Sequence, residues 1–194
     1  MRKLPERKPI RLQGWNYGRN ATYFITICTK NKDPYFGEIR NGIMHLSEMG
    51  AIAHSEWLKS PNIRLDMNLE LGTFVVMPDH MHAIITIGIN QFNQRHGDYR
   101  RDAMHCDPTP PNKNKFGPQS KNLAAIIRGY KSAVTKRAHL MNPEFAWQAR
   151  FYDHIVRNPY SAEKISQYIR DNVHEWANSK PKSLFPMEVT GEDC

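Results

Sequence analysis

Cysteine is scarce: Cys28, Cys106 and Cys194 are three in 194 residues, widely spaced and without a C-x-x-C pair. That usage excludes a disulfide framework and points to a reducing compartment. No apolar run approaches the roughly 18 residues that a membrane-spanning helix needs. The basic N-terminus leads into "RLQGWNYGRN" rather than the apolar core of a secretory signal. The expected location is the cytoplasm, with no membrane partner. Acidic residues are also in deficit, 19 Asp+Glu against 27 Lys+Arg, for a net charge of +8.

The basic surplus is uneven. Arg2, Lys3, Arg7, Lys8, Arg11 and Arg19 face only Glu6 in residues 1–19, and Lys121, Arg128, Lys131, Lys136, Arg137 and Arg150 face only Glu144 in residues 121–150. Two basic clusters on one domain-sized chain suit a polyanionic partner, nucleic acid before membrane surface. The alternative on charge alone is a merely soluble basic protein.

"TYFITICT" (22–29) is β-branched and aromatic and reads as a strand. Asn41-Gly42 between short apolar runs signals a tight hairpin. Ser47 can cap a helix whose Met49, Ile52, Ala53 and Trp57 recur helically before Pro61 closes it. "LELGTFVVMP" and "HMHAIITIGI" read as two strands joined at Pro78-Asp79. Residues 90–121 are polar and proline-rich and read as a mobile insert. "NLAAIIRGYKSAVTKRAHL" is a helix with Leu123, Ile126, Ile127, Tyr130 and Val134 as its apolar stripe. "FAWQARFYDHIV" looks extended, and Ser161 to about Asn178 is helical, with Ile165, Ile169, Val173 and Trp176 as its buried stripe. Strands and helices do not alternate regularly. The order fits an α+β fold, an antiparallel β-sheet with helices packed on one face. The expected organisation is a basic arm at 1–20, a single domain at 21–178 and a tail at 179–194.

In "PDHMHAIITI", His80 and His82 share a strand face with Cβ atoms roughly 7 Å apart. They can converge on one cation or simply line a polar face. Met81, Ala83, Ile85 and Ile87 take the opposite, core face. Two imidazoles do not complete a metal site, which wants an amide oxygen, a carboxylate or water besides. In the last helix, Lys164, Tyr168 and Asn172 are spaced four apart on one line. The amide can ligate, the phenol can attack and the ammonium can favour phenolate. Against this, a tyrosine beside an apolar stripe usually packs, and Lys164 can be an ordinary solvated lysine. Arg11, Trp15 and Arg19 mix cations with a ring, as a single-strand grip does, or form an arm packed on the domain. Arg128, Lys131 and Lys136 carry the same ambiguity as an exposed basic helix face.

Three ordered blocks resemble a known family. The strand leading into Pro78-Asp79-His80-Met81-His82 resembles the His-hydrophobe-His (HUH) signature of single-tyrosine transposases. "WQARFYDHIVRN" (147–158) resembles the W-Q-x-x-F/Y-x-D/E-H-x-I-R-N block of the REP-associated tyrosine transposases. Tyr168 in "QYIRDN" stands where that subgroup has its Y-I-x-x-N nucleophile, and "NLAAIIRGYKSAVTKR" resembles the block before. The resemblance implies a ferredoxin-like, RRM-like HUH domain that cleaves and rejoins single-stranded, hairpin or palindromic DNA through a 5′-phosphotyrosine. It implies Tyr168 as nucleophile, His80 and His82 as ligands of Mg²⁺ or Mn²⁺, and Asn172 as a further ligand. It also implies nucleoid association and leaves monomer and homodimer open. Many members have proline after this asparagine; here Val173 follows, so the helix should run on toward Trp176. Rival readings are a catalytically silent hairpin-binding protein of the same fold and a metal-dependent phosphohydrolase that uses water.

Overall fold

Local chemistry places each element. β1 (Ala21–Cys28) is followed by β2 (Gly37–Arg40), β3 (Ile43–Leu46), α1 (Glu48–Ile63), β4 (Leu69–Val76), β5 (His80–Ile87), α2 (Leu123–Ala138), β6 (Tyr152–Val156) and α3 (Pro159–Asn178). The computed structural model describes residue 12 and residues 14–94 and 120–178. β2 and β3 are joined through Asn41 at φ 52° and Gly42 at φ 74°, the left-handed pair that a two-residue hairpin requires. Ser47 caps α1 by accepting from the Gly50 N–H at 3.1 Å. Asn122 caps α2 at Ala125 N, and Asn158 accepts from Ser161 N at the start of α3. Pro61 does not close α1, as the sequence suggested, but sits inside it. In the last turn a missing N–H costs one hydrogen bond, so the helix carries on to Ile63.

Four strands form an antiparallel sheet in the order β4-β5-β1-β6, and β2-β3 is a separate ribbon. Alternation sorts the side chains of the central strands. Tyr23, Ile25 and Ile27 of β1 and Met81, Ala83, Ile85 and Ile87 of β5 join Trp57 of α1 and Leu123, Ile126, Ile127 and Val134 of α2 in the main core. Phe24 and Ile84 point the other way and are covered by Ile169 of α3, with Ile165 and Tyr168 alongside. The α+β class expected from the sequence is the class observed, and one detail needs correction. Helices lie on both faces, α1 and α2 on one and α3 on the other. Tyr23, Phe24 and Ile25 are apolar in succession, so both faces of β1 need cover; full burial of a side chain such as Phe24 or Ile169 is worth about 1.5–3 kcal/mol.

The segment after β5 begins with a docked residue. Asn90 is buried, its amide donating to Gly88 O at 2.9 Å and Met67 O at 3.2 Å. Lys121 at the far side of the insert sits over Phe92 and pairs with Asp66. The insert therefore leaves and re-enters at the end of β5 remote from His80. Its residues 95–119, with the N-terminal arm up to Arg11 and the tail at 179–194, lie outside the described residues.

Gly50 seats α1 on the hairpin. A Cβ there would lie 2.1 Å from the Phe36 carbonyl oxygen, which also accepts from Ser47 N. Gly50→Ala is expected to destabilise the fold by about 1–3 kcal/mol through overpacking. That should appear in a thermal melt as a drop of about 3–10 °C, against no change for an exposed α1 substitution.

Candidate active site

β5 delivers His80 and His82 to the face covered by α3, where each is 1 % exposed. Their rings meet edge to face and their Nε2 atoms are 3.1 Å apart. The outer nitrogens are both held. His80 Nδ1 is 2.5 Å from the Asp79 carboxylate, an acceptor, which places a proton on Nδ1; in the neutral ring Nε2 then presents its lone pair. His82 Nδ1 is 2.8 Å from Thr26 Oγ1, brought opposite by the β1–β5 register. A hydroxyl donates or accepts, so Thr26 serves either tautomer of His82. With the proton on Nε2, His82 donates to His80; with it on Nδ1, both Nε2 lone pairs converge. Burial and the neighbouring His80 hold the His82 pKa well below its ordinary value, so His82 is neutral.

These donors fit a divalent cation. Two ligands at about 2.1–2.2 Å from one ion and at right angles are about 3 Å apart, the separation the two Nε2 atoms already have. Neutral imidazoles with their second nitrogens hydrogen-bonded to carboxylate or hydroxyl are the usual form of histidine ligands. Among the described residues no group of three His, Cys, Asp or Glu is placed to hold a metal ion, so other donor types beside the pair matter.

α3 supplies that neighbourhood. The Tyr168 hydroxyl is 3.4 Å from His82 Nε2, and its ring packs edge-on to Phe24 and His82. Asn172, one turn on, is buried and its side chain faces the phenol. Burial raises the Tyr168 pKa above the usual phenol value, the Asn172 contact opposes this, and Glu175 adds to it. In the free protein this side chain is a neutral phenol. Tyr168 thus packs, partly buried, beside Ile165 and Ile169, where the sequence placed it beside the apolar stripe, and α3 runs past Val173 as the missing proline implies. Trp176, placed in the buried stripe from its spacing, is 37 % exposed and rests on His80 at 5.5 Å between ring centroids.

Lys164 does not reach the phenol. Its ammonium sits over the Tyr160 ring at 4.3 Å. It is four residues from both tyrosines, and helical side chains lean toward the N-terminus, which selects Tyr160.

The nucleic-acid candidates lie elsewhere. Arg11 is outside the described residues. Trp15 packs against the main core, donating from Nε1 to the Tyr23 hydroxyl at 3.2 Å, and Arg19 stacks on its ring at 5.3 Å. Arg128 and Lys136 are exposed on α2. Lys131 is inserted under the segment before β6, donating to the Gln148 and Arg150 carbonyls at 2.7 and 2.9 Å, and burial pushes its pKa down to about 8. All of the described candidates therefore sit on α2 or the arm, on the side of the sheet away from α3. Sequence reasoning missed two residues of the site, Thr26 and the orienting role of Asp79. Asp79 was visible beside His80; Thr26 is 56 residues away from His82 and only strand register reveals it.

No protein-family model matches the chain. An uncharacterized protein of Haemophilus influenzae is 34% identical over 178 residues, covering 89% of this chain and 91% of the relative. Among solved structures, the REP-associated tyrosine transposase bound to a REP hairpin superposes with a TM-score of 0.53 at 20% identity, over 84% of this chain and 72% of that one. Among the described residues no helix is long and apolar enough to cross a membrane. The chain therefore belongs to one family with the Haemophilus influenzae protein, and its fold is that of the REP-associated tyrosine transposase.

Proposed function

We propose that this protein is a DNA strand transferase that cleaves and rejoins single-stranded hairpin DNA through Tyr168. One observation carries the reading. A phenol from α3 and a paired-imidazole donor set from β5 meet within 3.4 Å on one face of the sheet, although 86 residues separate them in the chain. The hairpin bound by the solved relative of the same fold supports hairpin DNA as the substrate class.

The chemistry assigned to the chain's own residues is as follows. Asn172 and the Phe24 and His82 rings fix the Tyr168 hydroxyl beside the His82 Nε2. Tyr168 Oη attacks phosphorus as its proton passes to solvent; the P–O3′ bond breaks, and the 3′ oxygen takes up a proton. The 5′ side is left as a phosphotyrosine ester. A 3′-hydroxyl of another strand then attacks that ester and expels Tyr168, so the strand is rejoined without ATP. His80 and His82 through Nε2, with the Asn172 amide oxygen, are the residues that would hold Mg²⁺ or Mn²⁺, which when bound offsets charge on the phosphate oxygens. Asp79 and Thr26 act by orienting the two imidazoles.

The test is incubation with single-stranded hairpin oligonucleotides, taken from any inverted repeat found beside the coding region. A protein–DNA adduct that survives denaturation is expected, lost with chelator and restored by Mg²⁺ or Mn²⁺. Hydrolysed DNA without an adduct would instead identify a water-using phosphohydrolase, and tight binding without cleavage a silent hairpin-binding protein.

A further inference from the structure

Trp176 is the feature of this face that the mechanism leaves unused. It lies one turn beyond Asn172 and two beyond Tyr168, on the same line of α3, because the helix runs past Val173 to Asn178. One part of its indole rests against His80 at 5.5 Å between ring centroids and 43° between planes, and the ring is still 37 % exposed. The other rings packed against the histidine pair differ. Phe24 is fully buried, and Tyr168 is tied to Asn172 and His82.

His80 and His82, each 1 % exposed, must be uncovered before any phosphate can approach their Nε2 atoms. The strand neighbours that hold them, Thr26 and Asp79, are buried parts of the sheet and its turn. The exposed indole on the last turns of α3 is the cover that can move at least cost. An aromatic contact of this kind is worth about 0.5–1.5 kcal/mol, and a base stacked on an aromatic side chain about 1–3 kcal/mol. Exchange of one for the other is therefore favourable or neutral. A phosphate at the histidine pair brings its flanking bases to the neighbourhood of the indole, whose ring centroid is 5.5 Å from that of His80.

Resting on the strand-transfer reading, we infer that Trp176 is a nucleobase-stacking residue of this site. Its ring covers His80 in the free protein and passes onto the base flanking the bound phosphate when single-stranded DNA enters. The contact is to a π-face, so the subsite takes any base and rejects a sugar-phosphate lacking one. Trp176 thereby adds affinity for unpaired nucleotides at the point of cleavage.

The experiment compares the full-length chain with Trp176→Ala and Trp176→Phe, each checked for an unchanged circular dichroism spectrum. The probes are a fluorescein-labelled 15-nucleotide oligothymidylate and an abasic 15-mer of equal charge, with Kd read by fluorescence anisotropy at one fixed salt concentration. Trp176→Ala should weaken oligothymidylate binding about 2- to 70-fold, the value of one stack less the His80 contact it replaces. It should leave abasic binding unchanged, and Trp176→Phe should retain most of the affinity. Equal losses on both oligonucleotides would make Trp176 a packing residue and overturn the inference, as would no loss on either. In those cases tight binding by the wild-type chain leaves the strand-transfer reading intact. Failure of the wild-type chain to bind either oligonucleotide would overturn the inference alone, since the strand-transfer reading is tested on hairpin DNA.

Discussion

Tyr168→Phe should bind hairpin DNA with essentially wild-type affinity and form no denaturation-resistant adduct, a loss of about 10⁴-fold or more in cleavage. The size follows from the role. Removing a nucleophile removes the covalent route, whereas orienting residues only slow it. The selectivity follows from the packing. A phenylalanine ring keeps the edge-on contacts to Phe24 and His82, so the face of the sheet that α3 covers stays closed. Only the hydroxyl and its contacts to His82 Nε2 and Asn172 are lost. Since that burial raises the Tyr168 pKa, deleting the hydroxyl also removes a half-buried polar group, and the melting temperature should hold or rise slightly. Gel shift and denaturing electrophoresis on the same samples separate the two effects. A silent hairpin-binding protein would show wild-type and variant alike in both.

The second large effect is expected from His80→Ala combined with His82→Ala. Mn²⁺ binding, followed by electron paramagnetic resonance, should disappear, and adduct formation should fall about 10²–10⁴-fold, with hairpin affinity nearly kept. Full cleavage by the double variant would end the metal-site assignment. Because both imidazoles are buried, their deletion also leaves a cavity, so a gentler companion is needed. Thr26→Val supplies it: the shape is nearly conserved, and the hydroxyl 2.8 Å from His82 Nδ1 is gone. His82 then loses the partner that accepts its Nδ1 proton when Nε2 must be free. Metal affinity should fall about 10- to 100-fold, the usual cost of an outer-shell partner, with little change in the fold. A graded series, wild type above Thr26→Val above the double variant, is the signature of a ligand pair rather than of two packed histidines.

Much of this architecture is legible in the sequence wherever the controlling interaction is local. Asn41-Gly42 can only be a tight hairpin, Ser47 announces its helix, and the two-residue alternation of "HMHAIITI" already puts both histidines opposite Met81 and Ala83. What the sequence hides depends on register and reach. Thr26 meets His82 only because β1 pairs with β5 at that offset, and α3 lies on the second sheet face because Phe24 and Ile84 need cover there. Lys131 looks like one more cation on a basic helix. Its ammonium is instead spent on two carbonyls, and Trp147 donates back to Lys131 O at 3.1 Å. Lys164 chooses between two tyrosines by the lean of helical side chains. Trp176 is periodic with Ile165 and Ile169, but at that turn the stripe meets only the first residue of β5, so the indole rests on His80 and stays part-exposed.

The central claim is that Tyr168 becomes covalently joined to DNA. Its most direct test is mass spectrometry of the protease-digested adduct formed with a hairpin oligonucleotide and Mn²⁺. The predicted result is a single modified peptide from α3 that carries a 5′-linked nucleotide on Tyr168, with a free 3′-hydroxyl on the released strand. Attachment at any other residue, or cleaved DNA with no modified peptide, would contradict the account.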